Sequence, residues 1–250
     1  MAVTHGKATS SNNIPAREKK CSECSFEALS ISLIIMMKSA ATPSSMLRTG
    51  TLLVASVKEI LHQQRRLILA IPPLLYGAKP PLGGGEGFVS GEVSEKMHFG
   101  SSCGAHIRHS LDHISKPLES CDVHYDVRHR ETAVENDPEA AISEIDRIAK
   151  LVDELSLPDD LDRELTVHFF LNAEGDEGAF SSTLARELQF ASHHAIHHNS
   201  FAKTSVADAA LHLRIDLAGN AEALDAMAAM GVAPSTQKYN DNIIKQEYYS

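Results

Sequence analysis

The chain has 250 residues and a mass of 27.1 kDa, and 43% of its side chains are hydrophobic, enough for one ordinary core in one larger or two small domains. No apolar run reaches the roughly 18–20 residues that a membrane-spanning helix needs, and the longest, Leu33 to Met37, is bounded by Ser32 and Lys38. Four cysteines in this length make no disulfide framework, so a reducing compartment, the cytoplasm, is expected.

The net charge of −10 is unevenly divided. Residues 1–50 carry six basic and three acidic side chains, a net of +3, which leaves 17 and 30, a net of −13, for residues 51–250. A phosphate-binding surface needs a basic patch, so the acidic body argues against a nucleic-acid partner. Residues 1–50 are rich in Ser, Thr, Asn and Lys and show no sustained period, as an appended, poorly ordered segment would. A basic, Ser-rich start is compatible with an organelle transit sequence, but Glu18, Glu23 and Glu27 argue against one, and no signal-peptide layout is present. Cys21-x-x-Cys24 has no second pair and no strand-to-helix frame, so incidental cysteines fit better than half a zinc site or a redox pair.

From Thr51 the pattern turns helical, with Leu53, Val57, Ile60, Leu61 and Ile68 roughly on one stripe until Pro72-Pro73. Residues 70–95, with four prolines and Gly83-Gly84-Gly85, predict a long connection, and the Gly triplet lacks the spacing of a phosphate loop. A second helix is predicted from about Ser101, with Ile107, Leu111 and Ile114 on one face, ending as Pro117 biases Lys116 away from helical backbone. The third has Asp137 as N-cap, Pro138 at its first position, Glu139 in its first turn, then Ile142, Ile145, Ile148, Val152 and Leu155, and it ends before Pro158. Leu165 to Leu171 predicts an isolated strand or a hairpin arm. A fourth helix is predicted from Ser181 to Lys203, capped by Ser181 or Ser182, with Leu184, Leu188, Ala191 and Ala195 on one face. Shorter helices are expected near Ala207 to Leu217 and Ala221 to Met230, before a tail from residue 241. The fold class is mainly α, a four-helix bundle over residues 51–240 with a disordered N-terminal extension.

Histidine is the sharpest compositional signal. Of 14 in the chain, six fall between His98 and His129 and four within His193 to His198. Imidazole is the commonest metal ligand and the usual proton carrier near neutral pH. On the fourth helix His193/His197 and His194/His198 are two pairs one turn apart. With about 100° per residue from Leu184, His194 and His198 fall near about −80° and −40° from the apolar stripe, and His193 and His197 point away. The wheel therefore turns His194 and His198 inward. Glu187 lies seven residues earlier, about 10 Å along the axis, too far to share an ion but placed to orient a water or substrate. On the second helix His106, His109 and His113 share one side. One imidazole from there and two from the fourth helix make a three-histidine site with open positions, as a catalytic rather than a structural zinc requires. Ala195 follows His194, so this is not the zinc-protease motif. Cys103 and Cys121 flank the second-helix cluster, and a buried small hydrophobe suits them better than a ligand role.

The segments GAHIRHSLDH, YDVRHRETAVE, ARELQF, HAIHH and GVAPST, in that order, resemble the DinB/YfiT-like superfamily of metal-dependent proteins over about residues 51–240. The resemblance implies a four-helix bundle with a divalent metal (Zn, Ni, Fe or Mn) on one histidine of the second helix and an HxxxH pair of the fourth. It matches His194, His197 and His198, with the first and last as ligands, while His106 and His109 each fit the remaining position. Residues 1–50 have no counterpart, and Ser205 to Met230 depart from the usual path into GVAPST.

Arg128 and Arg130, two apart between the second and third helices, can grip a substrate carboxylate or phosphate, or else pair with Asp126, Glu131 or Glu187. Asp112 can orient a ligand imidazole, and either Glu187 or Asp112 can serve as proton acceptor. Arg186 beside Glu187 fits a structural pair. The expectation is a metal-dependent hydrolase or thiol-dependent transferase acting on a small molecule, a thiol among the candidates, with no membrane or nucleic-acid partner and a homodimer as one possible assembly. The alternative is a non-catalytic metal-binding or structural bundle.

Overall fold

The computed structural model describes residues 42–79 and 101–240. The Cys21/Cys24 pair, the triple glycine, His98, residues 1–41 of the expected extension and the tail from 241 lie outside them. The fold is mainly helical: α1 (Pro43–Ala70), α2 (Pro73–Gly77), α3 (Cys103–Glu119), α4 (Ala133–Asn136), α5 (Pro138–Asp153), α6 (Leu184–Leu213) and α7 (Ala221–Ala229), with strands β1 (Asp122–His124), β2 (Glu164–Phe170) and β3 (Glu177–Thr183). Among the described residues no helix is long and apolar enough to cross a membrane.

The long helices form because each offers one apolar stripe to the others. Val57, Ile60, Leu61, Leu67 and Ile68 of α1, Ile107, Leu111 and Ile114 of α3, and Ala141, Ile145, Ile148 and Val152 of α5 are buried at three- and four-residue steps. Each large aliphatic side chain so buried contributes about 1.5–3 kcal/mol. The stripe of α6 is made of smaller residues, Leu184, Leu188, Ala191, Ala195, Ala202 and Val206, which lets α3 lie along it in the most extensive helix pairing. α1 packs on α5 and α6, and α3 on α5 and α6. One polar contact crosses this core: the buried Gln64 of α1 donates from Nε2 to Ser110 Oγ of α3 at 2.7 Å and to Asn199 Oδ1 of α6 at 2.9 Å.

Several boundaries differ from those the sequence predicts. Helix α1 starts at Pro43 rather than Thr51, and it runs through Gly50, which is buried against Leu157 and Leu161; tertiary packing carries the helix across Ser- and Gly-containing sequence. Helix α3 continues past Lys116 to Glu119, with Pro117 buried in its last turn and its carbonyl accepting from Arg163 Nη2 at 2.8 Å. The Asp137 cap is as expected, its carboxylate accepting from Glu139 N at 3.0 Å. β2 is the middle of a three-stranded sheet, parallel to β1 and antiparallel to β3. The segment around Ser181 and Ser182 belongs to β3, so the helix cap is Thr183, and α6 then continues beyond Lys203 to Leu213, absorbing much of the first short helix expected there. β1 is only three residues long and β3 is mostly small and polar, with no alternation strong enough to mark them; pairing with β2 decides their structure.

The first turn of α3 makes the tightest passage. A Cβ on Gly104 would stand 2.0 Å from the Glu135 carbonyl oxygen of α4 and 2.7 Å from the Tyr76 ring. Tyr76 itself donates to the Val134 carbonyl at 2.7 Å, locking α2 and α4 over α3. Gly104→Ala is expected to lower stability by about 1–3 kcal/mol in urea unfolding; an unchanged midpoint would show that α4 does not approach α3 this closely.

Candidate metal centre

The α3–α6 contact is where the histidines meet. On α3, His109 and His113 are buried and His106 is half-buried; on α6, His194 and His198 are half-buried while His193 and His197 are exposed, as the helical wheel requires. His109 Nε2 lies 3.0 Å from His194 Nε2, and His106 Nδ1 lies 3.1 Å from His198 Nδ1, so two imidazole pairs bridge the helices. The ring centre of His109 is also 4.6 Å from that of His113 and 4.4 Å from that of His198, and His113 is 4.1 Å from His194. The result is a continuous band of five imidazoles.

Within the band His109, His113 and His194 each offer a ring nitrogen, all within 4.8 Å of one another, a set able to hold a metal ion. Nitrogens about 2.0–2.1 Å from a tetrahedral zinc stand about 3.3 Å apart, close to the 3.0 Å between His109 and His194. The donor chemistry agrees. Both ring nitrogens of His113 and Nδ1 of His109 are buried without a hydrogen-bond partner among the described residues. Each such unpaired group costs about 1–3 kcal/mol, and a cation gives a lone pair of His113 the partner it lacks.

Burial keeps these rings neutral, and their mutual proximity adds to it. His109 and His113 are pushed down to about 2 and His198 to about 3, while His106 and His194 also lie below the ordinary imidazole value. The guanidinium of Arg128 presses in the same direction on His109, His113, His194 and His198. Each ring therefore keeps a lone pair available at neutral pH.

One side of the band is closed by aromatic rings. Tyr125, just after β1, stacks on His113 with centroids 4.7 Å apart and planes at 11°, and Phe190 of α6 flanks both His113 and His194. Phe169 of β2 backs Tyr125 at 5.1 Å. The Tyr125 hydroxyl donates to Oε2 of the fully buried Glu187 at 2.8 Å, while Ser182 Oγ and Arg186 Nη1 donate to Oε1 at 2.5 and 3.0 Å. Elsewhere the band borders a cavity of about 410 Å³, whose wall includes His106, His109 and His198 together with Lys79, Arg128 and Arg130.

The structure thus brings together all four predicted metal residues, His106, His109, His194 and His198, and places Arg128 and Arg130 in the cavity that His106, His109 and His198 line. It differs in which rings converge: His113 joins His109 and His194, while His198 faces His106. The signal for His113 was present, since His109 and His113 repeat on α3 the HxxxH spacing of α6. The two expected proton acceptors do not face an imidazole. Glu187 is taken up by three donors and reaches the band through Tyr125, and the Asp112 carboxylate pairs with Arg108, whose Nε also donates to Glu135 at 2.6 Å. Arg128 donates to Asp126 at 3.2 Å while still lining the cavity. Cys103 is buried, with its thiol pushed up to about 12 by burial, as a small hydrophobe would be, and Cys121 is exposed. A residue the sequence did not single out, Lys116, donates from Nζ to the carbonyls of His124 and Val127, both at 2.7 Å, and so ties the segment bearing Arg128 to α3. Compared with family models, with curated proteins and with solved structures, the chain gave no match.

Two outcomes are expected from this geometry. An imidazole whose pKa in the fold is depressed binds fewer protons than in the unfolded chain, whose ordinary value is about 6.5, so its contribution is fully present above about pH 6.5 and is lost as pH falls toward the folded value. The metal-free chain should therefore melt at progressively lower temperature from pH 7.5 to 5, and His113→Leu should flatten that slope; equal slopes in the two proteins would mean that His113 is not held neutral. The exposed His124, raised by its hydrogen bond to Glu177, works in the opposite sense in both proteins and cancels in the comparison. Tyr125→Phe removes one of the donors to buried Glu187 and is expected to cost about 1–3 kcal/mol in chemical unfolding, with no loss if the hydroxyl does not hold that carboxylate.

Proposed function

We propose that this chain is a divalent-metal-dependent enzyme on a four-helix bundle, a hydrolase or a thiol-dependent transferase, with His109, His113 and His194 holding the ion. The observation that carries the reading is the triad, in which both ring nitrogens of His113 and Nδ1 of His109 are buried without a hydrogen-bond partner among the described residues. The ordered segments resembling the DinB/YfiT-like superfamily support it, as does the packing of α1 and α3 each against both α5 and α6. When bound, Zn, Ni, Fe or Mn, all of which accept imidazole, supplies a Lewis acid that lowers the pKa of a water or thiol.

The chain's own residues divide the remaining work. His106 and His198, nitrogen to nitrogen at 3.1 Å in the cavity wall, are placed to relay a proton from one neutral ring to the other, a role free of the engagements that occupy Glu187 and Asp112. Arg128, Arg130 and Lys79 bring positive charge to the cavity of a chain with net charge −10, which suits a small molecule bearing a carboxylate or phosphate. Tyr125 and Phe190 keep water from the aromatic side of the triad, and Glu187 fixes Tyr125 in place.

One observation favours a second reading, a non-catalytic bundle with a structural ion: His109 and His113 are only 8% and 5% exposed. Turnover separates the two, because a structural ion gives a melting temperature that falls on chelation with no activity on thiols or esters. For the centre itself, elemental analysis of the purified chain should show an ion that His113→Ala and His194→Ala each lose and the exposed-site control His193→Ala retains. Full metal content in His113→Ala would remove the triad as the centre.

A further inference from the structure

A second group of metal-ligating side chains stands apart from the imidazole band, on the outer face of the sheet. Strand alternation turns Asp122 and His124 to the side opposite buried Val123, and His168 to the side opposite buried Val167. The parallel register sets His124 beside His168, and the two rings stack with centroids 4.1 Å apart and planes at 12°. Glu177 opens β3 across from Phe170, on that same outer face.

Two carboxylates straddle the stacked rings. Asp122 places one oxygen 2.7 Å from His168 Nε2 and the other 3.5 Å from His124 Nε2. Glu177 places one oxygen 2.8 Å from His124 Nδ1 and the other 3.6 Å from His168 Nδ1. Two of these contacts are hydrogen bonds, His168 Nε2 to Asp122 and His124 Nδ1 to Glu177, while His124 Nε2 stays beside the Asp122 carboxylate without one. A dication beside Asp122 would take the two Nε2 lone pairs and the Asp122 charge, leaving Glu177 to accept from His124 Nδ1–H at 2.8 Å.

We propose that Asp122, His124 and His168 form a second binding site, for a transition-metal dication of the zinc type, with Glu177 orienting the His124 imidazole from behind. The three ligating residues each offer an atom within 4.8 Å of the others. Two imidazoles and one carboxylate are a zinc ligand set, and a carboxylate on the far nitrogen of each ligating ring is the usual support for one. Side-chain exposures of 37% for His124, 18% for His168 and 67% for Asp122 leave room for water as the remaining ligand and let the ion exchange. An ion there ties β1 to β2 one residue before Tyr125.

The test is calorimetric titration of zinc chloride into the untagged, chelator-stripped full chain and into His124→Gln/His168→Gln. Both side chains lie on the outer face, and a melting curve checks that the variant folds; Asp122→Asn carries the same expectation should it not. The variant is expected to take up one zinc per chain fewer than the wild type, and Glu177→Gln to weaken that event about 10- to 100-fold without removing it. Equal uptake by the wild type and the folded variant overturns the proposal. The difference is independent of the imidazole band: if the His109, His113 and His194 triad binds nothing, the wild type still exceeds the variant by one ion.

Discussion

Five imidazoles at contact distance across one helix pair impose a condition on everything around them. Any proton added to His109 or His113 would place a charge among rings that are themselves pressed by Arg128, with little solvent to screen it. The α3–α6 interface therefore holds only while these side chains stay neutral, and neutral buried imidazoles leave nitrogens with nothing to bind. The protein meets half of this condition with paired rings, His109 with His194 and His106 with His198. The other half, at His113, has no protein partner among the described residues.

The rest of the architecture serves that contact. Small residues on α6 allow α3 close enough for the rings to meet, and the sheet delivers Tyr125 and Phe169 to its aromatic side. Glu187, a buried carboxylate that would otherwise be expensive, is compensated by Tyr125, Ser182 and Arg186, so it stiffens the aromatic wall instead of competing for an ion. On the cavity side Lys116 holds down the segment that brings Arg128 over the rings. The electrostatic character of the site thus comes largely from two loops, whereas its ligands come from helices.

Much of this was legible in the sequence for physical reasons that can be named. The α3 and α5 stripes follow the helical period cleanly, Asp137-Pro138 carries a strong start signal, and the inward turn of His194 and His198 needed only a wheel. The strand around Leu165 was visible because it is β-branched and aromatic. What was not legible depends on contacts distant in sequence. β1 and β3 exist because β2 pairs with them, the start of α1 is anchored where Gly50 meets Leu157 and Leu161, and α3 runs through Pro117 where Arg163 takes that residue's carbonyl. The choice among the α3 histidines was undecidable from spacing alone, since His106, His109 and His113 share one side and only the position of α6 along α3 selects among them. Asp112 and Glu187 were open to a reactive role because nothing in the sequence places Arg108 or Tyr125 beside them.

That position along the helix gives the polar trio of Gln64, Ser110 and Asn199 its significance. Alanine against a neighbouring helix is nearly indifferent to a slide of one turn, about 5.4 Å, because each small side chain finds an equivalent gap. Ser110 is adjacent to His109, and Asn199 to His198, so Gln64 clasps the two helices beside the imidazole pairs themselves. A slipped α6 would break the Gln64–Asn199 hydrogen bond and strand a buried amide. The trio acts as an indexing pin, and the spacing of the histidine nitrogens is set by an amide on a third helix that never touches them.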